Sequence, residues 1–381
     1  MAVYKVFPIK DTSLYSMFPT MNSGIDPISQ VSNLNLALST NPTVARNLIQ
    51  FDTNDISDVL ENKTTGSFDV YLRSFIATAQ GINEDSDLHV YPLAQSWNNG
   101  TGTYLDQPIT TDGASWASPA YEGSGIVWAQ GNPTNPTTSS RTDSYYDSNY
   151  VVAGGGVWYT TSSFGAMSYP YSQSFSMRSN KDLNIQVTNT IHDWYSGSIP
   201  NYGFVMKWEN VIEFNYNKQI QPVLQYYSID TNTIYPPYLE FKWDDYSHIT
   251  SSAITTLSGS SLYVNLDENP GIFYSESINR FRLNVREEYP RRVFQTSSIY
   301  TTQHYLPTSS YYAIKDLDTD EYIVGFDTTY TKISADEKSN YFDIYMNGLE
   351  PERYYKILIQ VDNGTSTKVY DNDYYFKVVN G

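Results

Sequence analysis

Hydrophobic and polar residues alternate with a period of two in widely separated parts of the chain. Phe68, Val70 and Leu72 fall on one side and Asp69, Tyr71 and Arg73 on the other. Ile185 and Val187 oppose Asn184, Gln186 and Thr188, and Phe281, Leu283 and Val285 oppose Arg280, Arg282 and Asn284. Successive side chains of a strand point to opposite faces, so each pattern predicts a strand with one wet face. Strands of that kind belong to antiparallel sheets packed face to face, not to a parallel sheet buried on both sides. No segment holds an i, i+3, i+4, i+7 apolar stripe for three turns. A single helical turn is expected from Ile56 to Leu60, behind the polar Asn54 and Asp55, so helices are expected only as connectors. The predicted fold class is all-β, with two antiparallel β-sandwich domains.

Punctuation divides this pattern. A strand ends at Tyr91-Pro92-Leu93, and the steps Asn98-Asn99-Gly100 and Thr101-Gly102 offer the positive-φ positions of tight turns before Gly113 and Trp116. With two tryptophans and no catalytic residue, residues 91–116 read as a scaffold corner. Residues 131–150 are polar, proline-bearing and rich in Ser and Thr, as in a long exposed loop. The serine-rich residues 247–261 mark the expected linker, which sets domains at 1–246 and 262–381. Beyond it, seven short strand-like runs predict an immunoglobulin-like or fibronectin-like sandwich, with Leu349, Pro351 and Tyr355 placed as in a tyrosine corner. The two halves share no evident repeat.

Several segments carry a resemblance. They are Val6-Phe7-Pro8-Ile9-Lys10-Asp11-Thr12 with Asn22-Ser23-Gly24, Arg46-Asn47-Leu48-Ile49-Gln50-Phe51-Asp52, Ile191-His192-Asp193-Trp194, Pro200-Asn201-Tyr202-Gly203-Phe204 and Tyr235-Pro236-Pro237-Tyr238-Leu239-Glu240-Phe241. Together they resemble the DNRLRE-type β-sandwich modules of secreted bacterial and archaeal proteins and, in variant form, of structural proteins of tailed phages of marine bacteria such as cyanophages. The resemblance covers about residues 3–245, and residues 131–150 do not fit it. Residues 330–334 and 348–356 look like the tail end of virion proteins of the same group. The resemblance implies a jelly-roll-type sandwich and a virion component on the tail, baseplate, neck or head exterior. It implies as partners other virion proteins and further copies of the chain itself.

Composition narrows the functional classes. Cysteine is absent, which removes disulfides, thiol nucleophiles and thiolate metal sites. The net charge of −18, from 41 acidic against 23 basic side chains, repels a phosphate backbone, so nucleic acid is not an expected partner. No apolar run approaches the roughly 20 residues of a membrane span, and no secretion-type leader is recognised. Assembly in the producing cell's cytoplasm is therefore expected, without membrane insertion, and residence in the virion is what the resemblance implies. The 36 tyrosines and 7 tryptophans fit pleated, half-buried surfaces and interfaces.

Candidate chemistry is sparse. His89, His192, His248 and His304 lack a histidine partner at metal-site spacing. Asp316, Asp318 and Asp320 mimic the first ligands of a calcium loop, with Asp327 at the twelfth position, but Glu321 stands where the loop wants glycine. A hairpin turn is the competing reading. Asp193 and the pair Asp244 and Asp245 offer carboxylates, although adjacent strand residues point apart and make a poor catalytic pair. Glu122-Gly123-Ser124-Gly125 is only part of a nucleophile elbow, and Gly154-Gly155-Gly156 lacks the lysine and helix of a phosphate loop, leaving a bend. No catalytic residue, cofactor or resident metal is assigned, and the expected protein is not an enzyme.

Two features point to binding. Trp97, Trp116, Trp128, Trp158 and Trp194 could stack on sugars, but Trp97, Trp116 and Trp194 sit at positions matching the family and are expected in the core. That leaves Tyr145, Tyr146 and Tyr150 as candidate glycan contacts. Arg280, Arg282, Arg286, Arg291 and Arg292 cluster in an acidic chain. Their guanidinium forks suit carboxylates on a neighbouring protein, against the alternative of a solvated face that balances local acid such as Glu287 and Glu288. The sequence reading is a non-enzymatic virion structural protein that works through assembly contacts. The alternative is a carbohydrate-binding module or host-surface adhesin that recognises polysaccharide.

Overall fold

The computed structural model describes residues 2–34, 43–82, 85–120, 127–128, 137–139, 154–160, 169–213, 222–249, 255–257, 261–267, 269–289 and 303–381. The described chain is all-β, with the helices Thr53–Asn62, Thr188–Tyr195 and Asn210–Glu213 as short connectors. It forms two compact units. One holds Val6–Asn62 and Asp69–Glu240; the other holds Met1–Lys5, Lys63–Phe68 and Phe241–Gly381.

The first unit is organised by an eight-stranded sheet. Its order is Tyr171–Phe175, Ser86–Pro92, Phe204–Trp208, Thr43–Phe51, Ile28–Leu34, Val223–Tyr227 and Ile76–Gln80, and Pro8–Tyr15 also pairs with Thr43–Phe51. The pairings are antiparallel. In a second sheet Phe68–Ser74 pairs with Leu183–Gln186, setting Leu72 opposite Ile185 as their alternation predicts. The expected helical turn is a ten-residue helix, Thr53–Asn62, that buries Ile56 and Val59. Asp52, not Asn54, caps it, its Oδ1 accepting the Asn54 N–H at 2.9 Å.

Asn22 fixes the corner at residues 93–116. Fully buried, its Nδ2 donates to the carbonyls of Asn99 at 2.7 Å and Ala114 at 2.9 Å. Its Oδ1 accepts the N–H groups of Gly24 at 3.0 Å and Gly102 at 2.9 Å. Three backbone groups of an irregular loop, and one beside Asn22 itself, thus find partners on one side chain. Gly100 has the expected positive φ of 81°, whereas Gly113 is required for close approach: a Cβ there would stand 2.5 Å from Asn22 Nδ2.

The second unit is a two-layer sandwich. One sheet runs Thr255–Thr256, His304–Tyr305, Ile278–Glu287, Asn340–Tyr345 and Ser334–Ala335, with Leu262–Leu266 also on Ile278–Glu287. The other runs Ile272–Tyr274, Thr367–Val379, Tyr354–Asp362, Ser310–Asp316 and Tyr322–Val324. Phe281, Leu283 and Val285 point inward as predicted. Phe342 stacks on Phe281 at 5.6 Å and on Tyr312 of the facing sheet at 4.3 Å. The tyrosine-corner contact is present: the buried Tyr355 hydroxyl donates to the Glu350 carbonyl at 2.9 Å.

Within the serine-rich stretch read as a linker, the described residues pack on this sandwich. His248 bridges Ala335, and Thr255–Thr256 pairs in parallel with His304–Tyr305. Leu257 is buried in the core cluster. Sheet pairing gives these backbone groups the partners that a free linker would seek in water.

Candidate functional site

The eight-stranded sheet gathers charge on one face. Strand alternation puts Leu88 and Val90 in the core and leaves Asp87 and His89 partly exposed. Lys207 lies directly across from His89 on the neighbouring strand, and Ser172 lies across from it on the other side. Glu209 follows that neighbouring strand and continues the register beside Asp87. Its N–H donates to the Asp87 carbonyl at 2.9 Å, and the Asp87 N–H donates to Glu209 Oε1 at 3.4 Å.

Beneath this trio lies a buried ion network. Arg46 Nε and Nη2 donate to the two Glu213 oxygens at 2.7 and 3.0 Å, and Arg46 Nη1 donates to the Gly155 carbonyl at 2.8 Å. Lys207 Nζ reaches Glu213 Oε2 at 2.8 Å and the Trp208 carbonyl at 2.9 Å. The Arg46 guanidinium also lies 4.8 Å from the ring of Trp116 and 5.2 Å from that of Trp158. Burial alone would raise the Glu213 pKa, but Arg46 and Lys207 overcome it and hold the carboxyl below its ordinary range. The expected bend at residues 154–156 serves this network: all three glycines have positive φ, and a Cβ on Gly155 would stand 2.6 Å from Arg46 Nη1.

Asp87, His89 and Glu209 bring one donor atom each to within 4.8 Å of one another. Burial, and then the charge of Lys207, push His89 down to about 4, so its imidazole is neutral near pH 7. The Tyr91 hydroxyl lies 3.5 Å from His89 Nδ1, and the Ser174 hydroxyl donates to Asp87 Oδ1. The arrangement offers two carboxylates and a neutral imidazole on a rigid sheet. A reading confined to histidine pairs missed it. The available signal was Asp87-Leu88-His89, whose period-two spacing puts carboxylate and imidazole on one strand face.

The arginine cluster has partners of its own. Arg280 makes a two-point contact with Asp343, both bonds 2.8 Å, and Arg282 makes one with Asp336 at 2.9 and 2.8 Å. Two of the five forks expected to meet a neighbouring protein therefore engage carboxylates of their own unit. Arg280 and Asp343 are directly opposed across two strands, a relation that local sequence does not reveal. Arg286 lies over the Tyr263 ring at 4.3 Å. Arg291 and Arg292 lie outside the described residues, as do Tyr145, Tyr146 and Tyr150.

The acidic residues of the calcium candidate are engaged by cations of the protein. Arg353 Nε and Nη2 hold Asp316 at 2.6 and 2.7 Å, Arg353 also approaches Asp318 at 3.6 Å, and Lys315 pairs with Asp320 at 2.6 Å. Asp316 Oδ1 further accepts the N–H groups of Asp318 and Thr319. Each carboxylate faces a protein cation, which opposes a calcium ion in the same space. The segment is the turn of the hairpin joining Ser310–Asp316 to Tyr322–Val324.

The tryptophans proposed as sugar platforms are all buried: Trp97, Trp116, Trp128, Trp158 and Trp194 are at most 4% exposed. Trp97 and Trp128 donate their indole N–H groups to the carbonyls of Tyr202 and Ser115, both at 2.9 Å. Asp193 is buried and accepts the Tyr169 hydroxyl at 3.3 Å. Among the described residues, no helix is long and apolar enough to cross a membrane.

No family model and no curated protein matches the chain. Among solved structures, a DUF4785 family protein from Legionella pneumophila subsp. pneumophila str. Philadelphia 1 aligns at 9% identity with a TM-score of 0.17. The alignment covers 100% of this chain and 66% of that one, so this chain spans just under two thirds of that protein's length. Likeness at that level carries neither fold nor role across.

Proposed function

We propose that the chain is a non-enzymatic structural component of a tailed-phage particle, held to neighbouring virion proteins through its sandwich surfaces. The sequence resemblance supplies the virion. One structural observation supports the mode of action. Among the described residues Ile272–Tyr274 is the end strand of its sheet, paired in parallel with Thr367–Val379 alone, and its outward residues Ile272 and Tyr274 are 60% and 63% exposed. Lys377 joins Ile272 to Tyr354 across the register, and the exposed Tyr375 lies on the same outer face. An end strand with exposed aromatic and branched side chains has the composition of a protein contact. This surface takes the role that the sequence had given to the arginines.

Recombinant chain tested on a panel of bacterial-envelope polysaccharides, alongside sedimentation for self-association and co-assembly with particle proteins, separates this proposal from the carbohydrate-binding one. Assembly that is lost when Tyr274 and Tyr354 become Asp, without glycan binding, supports the structural role. Saturable glycan binding without assembly supports the binding module.

A further inference from the structure

We propose that Asp87, His89 and Glu209 form a binding site for one divalent first-row transition-metal ion of the zinc or manganese class. Asp87 and His89 come from the strand Ser86–Pro92 and Glu209 from the residue after the adjacent strand Phe204–Trp208, and their atoms already lie within 4.8 Å of one another. Donors held about 2.1 Å from a common ion in a tetrahedral shell stand about 3.4 Å apart, so closure needs side-chain rotations of roughly an ångström and no backbone shift. Asp87 and Glu209 are tied to each other by one backbone–backbone bond and by the Asp87 N–H donating to Glu209 Oε1, and Ser174 orients Asp87 through its hydroxyl. A donor of that kind fixes a metal-binding carboxylate from outside the coordination shell.

The donor chemistry selects the ion class. Calcium and magnesium favour shells of oxygen alone, with more protein oxygens or several waters, whereas an imidazole beside two carboxylates suits a borderline cation. The Lys207 ammonium meets Glu213 and the Trp208 carbonyl. Its net positive neighbourhood, shared with Arg46 and Glu213, is set against the two carboxylates of the trio. Three protein donors leave the rest of the shell to water or to a group from another molecule. A bound ion would join the strand Ser86–Pro92 to the residue that follows Phe204–Trp208, stabilising the sheet where that strand ends.

The test uses untagged, metal-stripped full chain titrated with zinc chloride by calorimetry, with native mass spectrometry for stoichiometry and thermal melting for linkage. The expected result is one saturable zinc per chain and a melting point raised by about 3–6 °C at saturation. His89→Gln and Glu209→Gln each weaken binding at least tenfold, and His192→Gln, on the helix Thr188–Tyr195, leaves it unchanged. Absence of saturable binding at about 100 µM zinc, which corresponds to a Kd weaker than that of any structural site, overturns the site. So does binding unaltered by both substitutions. If the substituted chains do not fold, X-ray absorption of the zinc-loaded natural chain decides: one imidazole with oxygen neighbours supports the assignment, and a shell without imidazole overturns it.

Discussion

The Arg46 guanidinium meets the Glu213 carboxylate in a two-point contact of 2.7 and 3.0 Å, with neither side chain exposed to solvent. Lys207 completes the network on the same carboxylate. Removing Glu213 leaves two cations, Arg46 and Lys207, uncompensated in a space closed by Trp116 and Trp158, whereas removing Arg46 leaves Glu213 still paired with Lys207. Glu213→Gln is therefore expected to cost about 3–5 kcal/mol in denaturant unfolding and Arg46→Met less than that, while Arg46→Met combined with Glu213→Leu costs less than the sum. Additive losses would show that the pair is not coupled.

Asn22 is a second concentrated point of stability. Asn22→Asp keeps the size of the side chain but replaces the two N–H donations to Asn99 and Ala114 with oxygen facing carbonyl oxygen. A loss of about 2–4 kcal/mol is expected, together with faster protease cleavage in residues 98–114. Gly100→Ala should be similarly harmful, because it meets Asn22 Oδ1 at 2.3 Å from a residue at φ 81°. A protease pattern unchanged in both variants would remove Asn22 from this role.

Asp11 gives the first unit a pH dependence. Burial, with the nearby Asp230 and Asp26 adding to it against one N–H donor from Ile229, pushes its carboxyl up to about 8. The folded state thus holds a proton that the unfolded state releases near pH 4, and between about pH 4 and 8 this group makes stability fall as pH rises. Asp11→Asn is expected to raise stability at pH 8 by about 1–3 kcal/mol and to flatten that slope, read from melting curves across the range. An unchanged slope would mean that Asp11 is ionised in the fold.

The hairpin at Asp316 behaves oppositely. Burial acts to raise its pKa, but the hydrogen bonds from Arg353 and the turn amides outweigh this and leave it below the ordinary value. Its contribution is present above the unfolded carboxylate range and is lost as pH falls through the lowered value. Asp316→Asn is expected to cost about 1–3 kcal/mol near neutral pH and little under strong acid. Calcium added to the purified natural chain should leave melting of the second unit unchanged; a calcium-dependent rise lost in Asp316→Asn would restore the cation reading.

The fold was legible where one strand carries its own pattern. Phe281, Leu283 and Val285 declare a buried face without reference to any other residue, and Tyr355 sits at a recognisable distance from Leu349. What could not be read was the choice of partner across the sheets. Arg282 engages Asp336, not the neighbouring Glu287 or Glu288, and Glu209 reaches Asp87 only because their strands pair. Arg46 and Glu213 stand far apart in the sequence, and nothing local to either residue names the other. Pairing register makes them a buried unit. The serine-rich stretch has the composition of a linker, yet its described residues His248, Thr255 and Thr256 pair with strands of the second sandwich.

Quantitative peptide mass spectrometry of purified particles from the producing lysate tests the central proposal most directly. A fixed copy number per particle is expected, with immunogold label at a single locus, and loss of incorporation when Tyr274 and Tyr354 are both replaced by Asp in chains that retain their fold. Recovery of the chain only as free protein in the lysate would contradict a structural role in the particle.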